Sequence, residues 1–97
     1  MYIRLVQFSL GTGKRSAAEA IADRIVPAIR AQKGCDRCEF ITDDRAGDYG
    51  IVALWASQEA ADAAYGVINP ILQSALSGAG AQGTSIRLFE VYEPKRQ

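Results

Sequence analysis

Histidine is missing from this chain of 97 residues, and that absence narrows the chemistry its side chains can perform. Structural metal sites in proteins are built from cysteine and histidine, usually four ligands together. The chain has two cysteines, Cys35 and Cys38, so one copy cannot supply such a site. Two cysteines also do not make the disulfide framework of a small secreted protein.

The chain also lacks an excess of charge and any long apolar run. Eleven Lys plus Arg residues balance eleven Asp plus Glu residues, so we expect no attraction to nucleic acid or to an anionic membrane. No segment approaches the ~20 apolar residues of a transmembrane helix. The N-terminus, Met1–Leu10, has the pattern of a strand and not that of a secretion signal. We therefore expect one cytoplasmic domain over residues 1–97.

The most informative segment present is Tyr49–Ser57, which is apolar on both faces and contains the single tryptophan, Trp55. Such a composition predicts a strand that must be covered on both sides. Side-chain alternation places Val52 and Leu54 on one face and Trp55 on the other. A chain of this size has helices enough to cover one side only, so the second side needs another partner.

Five further elements are predicted around this strand. They are strand one at residues 2–9, helix one from a capping box at Ser16–Glu19 to about Gln32, strand two at Glu39–Thr42, helix two from Ser57 with a restart at Asn69–Pro70, and a last strand at Ser85–Tyr92. The order βαββαβ is that of an α+β, ferredoxin-like fold: a four-stranded antiparallel sheet with both helices on one face. The helix-free face would then expose an apolar patch, so we expect a homodimer that packs sheet against sheet.

The segment Cys35–Cys38 has the C-x-x-C spacing of redox proteins. In those proteins a helix N-terminus lowers the pKa of the first thiol, whereas here the motif follows the predicted C-terminus of helix one, where the dipole has the opposite sign. Structural cysteines are therefore the favoured interpretation. A thiol redox protein, or a metal site shared between subunits, stays open as an alternative.

Three segments together resemble the antibiotic biosynthesis monooxygenase-like group of dimeric α+β barrels. They are Lys33–Cys35 at the end of helix one, Asp48–Gly50 at the start of strand three, and Leu54–Glu59 at the crossing into helix two. The resemblance covers nearly the whole chain. The resemblance implies a pocket between sheet and helices. Members of the group include cofactor-independent oxygenases of phenolic polycyclic compounds, haem-degrading enzymes and small proteins without an assigned activity.

The haem-degrading members use an Asn late in strand one, a Trp ending strand three and a haem-ligating His on helix two, which by position resemble Gln7, Trp55 and Tyr65. The histidine is absent here, although tyrosine can also ligate ferric haem. The cofactor-independent oxygenases place Asn, Trp, Tyr and Arg around a phenolate. Ile51 stands where their Asn would be, and Arg87 is the candidate for their Arg.

The resemblance therefore implies two sets of site residues, with no cofactor and no metal. The catalytic set is Trp55, Tyr65 and Arg87, and the substrate-binding set is Gln7, Tyr49 and Asn69. The three catalytic candidates also have a simpler interpretation: Trp55 and Tyr65 as core packing, and Arg87 as an exposed or salt-bridged side chain.

Three hypotheses follow. The first is a cofactor-independent monooxygenase acting on a small aromatic or phenolic compound. The second is a non-catalytic dimeric module that binds a small ligand or assembles, and the third is a thiol redox protein that uses Cys35 and Cys38.

Overall fold

The computed structural model describes residues 1–95 and has six elements in the predicted order. They are β1 (Tyr2–Ser9), α1 (Arg15–Arg30), β2 (Cys35–Asp43), β3 (Asp48–Trp55), α2 (Gln58–Gly78) and β4 (Gln82–Glu90). The strands form one antiparallel sheet in the order β2-β3-β1-β4. The predicted ferredoxin-like fold is confirmed. The sequence also predicts a polar tail at Glu93–Gln97, and its last two residues lie outside the described residues.

The pairing of the two central strands separates their side chains into a covered and an open face. Val6 of β1 lies opposite Ile51 of β3, and both are buried beneath the helices. The next pair, Leu5 and Val52, points the other way and is half-exposed. Alternate residues of these strands therefore belong to different environments, as the period of two requires.

Both helices bury one stripe against the covered face. Their buried residues recur at the three- and four-residue spacing of an amphipathic helix. In α1 they are Ala18, Ile21, Ile25, Val26 and Ile29, and in α2 they are Ala61, Ala64, Ile68, Leu72, Ala75 and Leu76. Ile25 is fully enclosed, and truncating a buried isoleucine to alanine costs about 2–5 kcal/mol. Within residues 1–95, neither helix is both long and apolar enough to cross a bilayer.

The predicted capping box at the start of α1 is wrong. The helix begins one residue earlier, after Lys14, and no side chain caps it. The Glu19 carboxylate instead accepts a hydrogen bond from Nε of Arg15 at 3.0 Å, and Arg15 also contacts Asp44 at 2.9 Å. The charged contact with the β2–β3 connection replaces the cap that the S-x-x-E spacing suggested.

The predicted restart of helix two is also absent, because α2 runs without interruption through Pro70. Proline has no N–H, so the carbonyl of Gly66 cannot receive its ordinary helical hydrogen bond. The buried residues Ile68 and Leu72 lie on either side of this point. Their packing against the sheet holds the helix together where its own backbone bonding is weakest.

Gly47 joins the β2–β3 connection to the segment after β1. Its φ is +75°, and a Cβ placed on it would lie 2.3 Å from the carbonyl carbon of Gly11. Its carbonyl accepts the N–H groups of Leu10 at 2.9 Å and of Gly11 at 3.3 Å. Only glycine can adopt this backbone conformation and also leave room for the close approach of Gly11.

We expect Gly47→Ala to lower the free energy of unfolding by about 2 kcal/mol or more, since a left-handed non-glycine residue alone costs ~1–3 kcal/mol. Urea unfolding followed by circular dichroism measures the change. Gly66→Ala is the matched control: nothing lies within 4 Å of its added Cβ, so helix propensity should stabilise the protein by up to about 1 kcal/mol. Equal effects of the two substitutions would contradict this account.

The two cysteines lie on β2, on the covered face, with an irregularity in the strand register between them. Cys38 is 1% exposed, and burial raises the pKa of its thiol to about 11. Burial also raises the pKa of the half-buried Cys35, and the carboxylate of Asp36 raises it further. Because the thiolate is the reactive form, both environments disfavour redox chemistry.

A thiol titration with an aromatic disulfide reagent tests this reactivity. At pH 8 a thiol with a pKa of about 11 is ionised in about one molecule per thousand. We therefore expect Cys38 in the Cys35→Ser variant to react only after unfolding, or slowly above pH ~10. Rapid reaction of native Cys35→Ser protein at pH 7 would restore the redox hypothesis.

Candidate functional site

A small cavity lies between the covered face of the sheet and α2. Its volume is about 30 Å³, enough for a water molecule or two. Apolar side chains form most of the wall, namely Val6, Ile29, Ile51, Ala53, Ala61, Ala64, Ile68 and Leu72. Four residues with polar side chains also line it, Arg4, Trp55, Tyr65 and Asn69, but the surface that faces the cavity is almost entirely apolar. Small-molecule sites are also lined by apolar groups with a few polar ones, although their volumes are about 300–1,000 Å³.

Trp55 forms one end of this cavity from the last position of β3. Its side chain is 3% exposed, and its indole Nε1 is buried without a hydrogen-bond partner among the described residues. An unsatisfied buried donor costs about 1–3 kcal/mol. An acceptor placed beside this N–H group would therefore stabilise it.

Arg4 and Tyr65 line the same cavity as a cation–π pair. The guanidinium carbon of Arg4 lies 4.6 Å from the centre of the Tyr65 ring. Its Nη2 atom also donates to the Ala61 carbonyl and to the Asp62 carboxylate, each at 3.4 Å. These distances are long for hydrogen bonds of this type. The contacts hold Arg4 against α2 beside the cavity.

Asn69 follows Tyr65 by four residues on α2, so the two side chains lie one above the other on one side of the helix. Its Oδ1 accepts from Nε2 of Gln73 at 3.2 Å. Both Tyr65 and Asn69 are half-buried, and they form the part of the wall nearest to solvent.

Tyr49 does not line this cavity, contrary to its predicted substrate-binding role there. It lies at the far end of β3, where its hydroxyl donates to Oδ1 of Asp44 at 2.8 Å and its ring stacks on Phe40 at 6.1 Å. The hydrogen bond to Asp44 raises the pKa of Tyr49, and the same bond lowers the pKa of the Asp44 carboxyl. Tyr49 ties the β2–β3 connection to the sheet.

Gln7 and Arg87 lie on the open face, so the structure does not bring them to the cavity as predicted. Gln7 is next to the covered residue Val6, and Arg87 is next to the covered residue Ile86. The alternation along a strand sends neighbouring side chains to opposite faces. Both residues are exposed, and the guanidinium of Arg87 stacks on Phe89 at 4.4 Å.

A second, larger depression lies on the open face at the far end of the sheet. It measures about 470 Å³, is broadly open to solvent, and includes Gln7, Asp48, Gln82 and Ser85 in its wall. It lacks both the enclosure of the smaller cavity and a buried unpaired group. Among residues 1–95, no group of three His, Cys, Asp or Glu side chains is placed to hold a metal ion. The cavity at Trp55 is therefore the better candidate site.

Arg4 is the site residue that our sequence reasoning missed. We predicted the arginine of the site at Arg87, because it interrupts an apolar strand. The available signal was that Arg4 shares its strand face with Val6 and Phe8, both of which are buried in the core. A charge on the covered face of a strand must have a partner inside, and therefore indicates a site more strongly than a charge on the open face.

Comparison with known proteins places this geometry in a family. A family model described as antibiotic biosynthesis monooxygenase matches residues 1–65. A candidate antibiotic biosynthesis monooxygenase from Deinococcus radiodurans shares the fold with a TM-score of 0.75 at 19% identity, over 100% of this chain and 98% of the other. SnoaB, a cofactor-independent oxygenase from Streptomyces nogalater, has a TM-score of 0.72 at 16% identity, over 99% of this chain and 97% of the other.

A third similar structure contains a porphyrin. A substituted form of MhuD with two manganese protoporphyrin IX molecules bound in each active site has a TM-score of 0.70 at 20% identity, over 100% of both chains. At these identities the structures establish a common fold, and no protein of curated function matches the chain. Since the family model spans more than half of the sequence, the chain belongs to the antibiotic biosynthesis monooxygenase family.

Proposed function

We propose that this protein is a cofactor-independent monooxygenase that oxidises a small phenolic aromatic compound in the cavity between the sheet and α2. The observation that carries the proposal is the buried, unpaired indole N–H of Trp55 in an apolar wall. Family membership supports the reaction type, and the structural likeness to SnoaB, a cofactor-independent oxygenase, is consistent with it.

The chemistry requires an aromatic substrate that can itself reduce oxygen. A phenol with an activated CH₂ group loses a proton, and the resulting carbanion adds O₂ at that carbon. The hydroperoxide formed there loses water and leaves a carbonyl, so one oxygen atom enters the product and the other leaves as water. The CH₂ group supplies both hydrogens and all four electrons, and the reaction balances without a further reductant.

The protein supports this reaction by binding the substrate oxygen and excluding water. In our proposal Trp55 donates its indole N–H to the phenolate oxygen, and the Asn69 amide and the Tyr65 hydroxyl complete the polar contacts. The apolar residues around them keep the carbanion away from bulk water. Among the described residues no carboxylate lines the cavity, so the substrate phenol must ionise readily.

Substrate binding requires the cavity to expand. A cavity of about 150 Å³ accommodates benzene, whereas the volume here is about 30 Å³. Tyr65 and Asn69 are half-buried, so their side chains can turn outward to solvent without dismantling the core. The same comparison disfavours haem: the space is far smaller than a haem, and Arg4 covers the ring of Tyr65, which among the described residues is the one wall residue with a haem-ligating side chain.

The second candidate function is a dimeric module without catalysis, and the small cavity is the observation that favours it. In that case Trp55 and Tyr65 pack the core, and the open face of the sheet carries the biological role. Both candidates share a homodimer through that face, where a row of apolar side chains is at least partly exposed: Ile3, Leu5, Ile41, Val52, Leu54 and Phe89.

Oxygen uptake with a panel of phenols that carry an activated CH₂ group tests the enzymatic proposal. Trp55→Phe keeps the aromatic ring and removes the N–H donor, so we expect kcat/KM to fall about tenfold to hundredfold. Tyr92→Phe, at a tyrosine that is 75% exposed, is the matched control and should match the wild type. No oxygen uptake by wild-type protein with any member of the panel would favour the binding module.

Light scattering after gel filtration tests the dimer. We expect the wild type to have twice the chain mass of 10.4 kDa at micromolar concentration. Val52→Asp places a charge in the open face and should shift the mass to that of one chain. Val67→Asp, on the 54% exposed side chain of α2, is the control and should stay dimeric. Single-chain mass for the wild type would overturn the proposed interface.

A further inference from the structure

The charge balance of the cavity points to the kind of substrate it selects. Arg4 is the only charged residue in the wall among the described residues. Its side chain is 17% exposed, so most of it is removed from water. The nearest carboxylate, that of Asp62, is 60% exposed and lies at the surface. Arg4 thus brings a positive charge to the edge of the cavity, and within residues 1–95 no carboxylate lines its wall.

The present partners of Arg4 leave most of its hydrogen-bonding capacity unused. Within residues 1–95, Nη2 makes its two hydrogen bonds to protein, each at 3.4 Å, and no protein acceptor contacts Nε or Nη1. A solvent-exposed ion pair of this kind contributes ~0–1 kcal/mol. A ligand carboxylate can therefore replace Asp62 at little loss, and it matches the planar fork of the guanidinium better.

The pairing of β1 with β3 places Arg4 beside Trp55, whose indole N–H has no partner among the described residues. Arg4 pairs with Ala53 and Trp55 lies two residues further along β3, so both side chains share the covered face as diagonal neighbours. The Cα atoms of such neighbours are about 7–8 Å apart. Both side chains extend from there beneath α2 and line the same cavity, so one aromatic ligand between sheet and helix can contact both.

We propose that the cavity selects an aromatic substrate that carries a carboxylate, and that Arg4 binds this carboxylate in place of Asp62. The inference rests on the proposed function, because it assigns the second substituent of the same substrate. Arg4 is a specificity-determining residue in this scheme, while Trp55 donates its indole N–H to the phenolic oxygen. The apolar wall and the Tyr65 ring bind the aromatic body.

Isothermal titration calorimetry with 2-naphthoate and 2-naphthamide tests the selection. The two probes have the same shape and differ in charge. We expect wild-type protein to bind the carboxylate roughly tenfold to hundredfold more tightly than the amide, the range of a charge-assisted hydrogen bond. Trp55 is the single tryptophan of the chain, so a shift of its one indole N–H signal in a proton–nitrogen NMR spectrum shows that binding takes place beside it.

Two substitutions separate Arg4 from general effects of charge. Arg4→Gln should bind both probes equally, whereas Arg24→Gln, at an exposed arginine of α1, should keep the wild-type preference. Asp62→Asn leaves Arg4 in place and removes its competitor, so it should strengthen carboxylate binding severalfold and leave amide binding unchanged. This second variant keeps the test valid if Arg4→Gln does not fold.

The outcomes distinguish the two proposals. Equal affinity of wild-type protein for naphthoate and naphthamide overturns the selection by Arg4, and oxygen uptake with uncharged phenols would then still support the oxygenase. A carboxylate preference that persists in Arg4→Gln, or weaker naphthoate binding in Asp62→Asn, also overturns it. If neither probe binds to wild-type protein, both the selection and the aromatic-binding pocket are wrong.

Discussion

The antiparallel register of β1 and β3 is the constraint on which the rest of this structure depends. It sets Val6 opposite Ile51 under the helices and Leu5 opposite Val52 on the open face. A slip of one residue would exchange the two faces and bury the wrong half of each strand. The same register decides which polar side chains can meet, so the core and the candidate site are specified by one set of backbone hydrogen bonds.

The covered face has polar groups at both ends of the sheet, and the two ends differ in how these groups are paired. Arg4 and Trp55 lie beneath α2 at the start of β1 and the end of β3, while the other end is closed by Tyr49 and its hydrogen bond to Asp44. At the closed end, the Tyr49 hydroxyl has its hydrogen-bond partner within the chain. The other end retains an unpaired donor and a weakly paired cation, a combination that a purely structural core would avoid.

The sequence predicted the fold better than the site, and the reason lies in the length of the signals. Each strand and helix repeats its pattern over eight or more residues, so single errors such as the cap of α1 do not change the order. The site depends on the face taken by individual residues. Gln7 and Arg87 were chosen by type, and the alternation that places them on the open face was given less weight than the resemblance.

Two further differences between prediction and structure each have a physical cause. Pro70 follows an asparagine, which is a good helix start by its local preference, but the apolar stripe through Ile68 and Leu72 carries the helix past it. Arg4 shares its face of β1 with the core residues Val6 and Phe8, but that alternation does not identify its partner. Its contact with Tyr65 depends on residues 61 positions apart, and no local pattern contains that information.

The proline in α2 gives the cavity wall a mechanical property. The helix lacks one backbone bond between Gly66 and Pro70, and this segment lies between Tyr65 and Leu72, which both line the cavity. A helix bends most easily where such a bond is missing. The missing bond therefore lies in the cavity wall itself, at the point where α2 can change its curvature at the least cost in backbone hydrogen bonding.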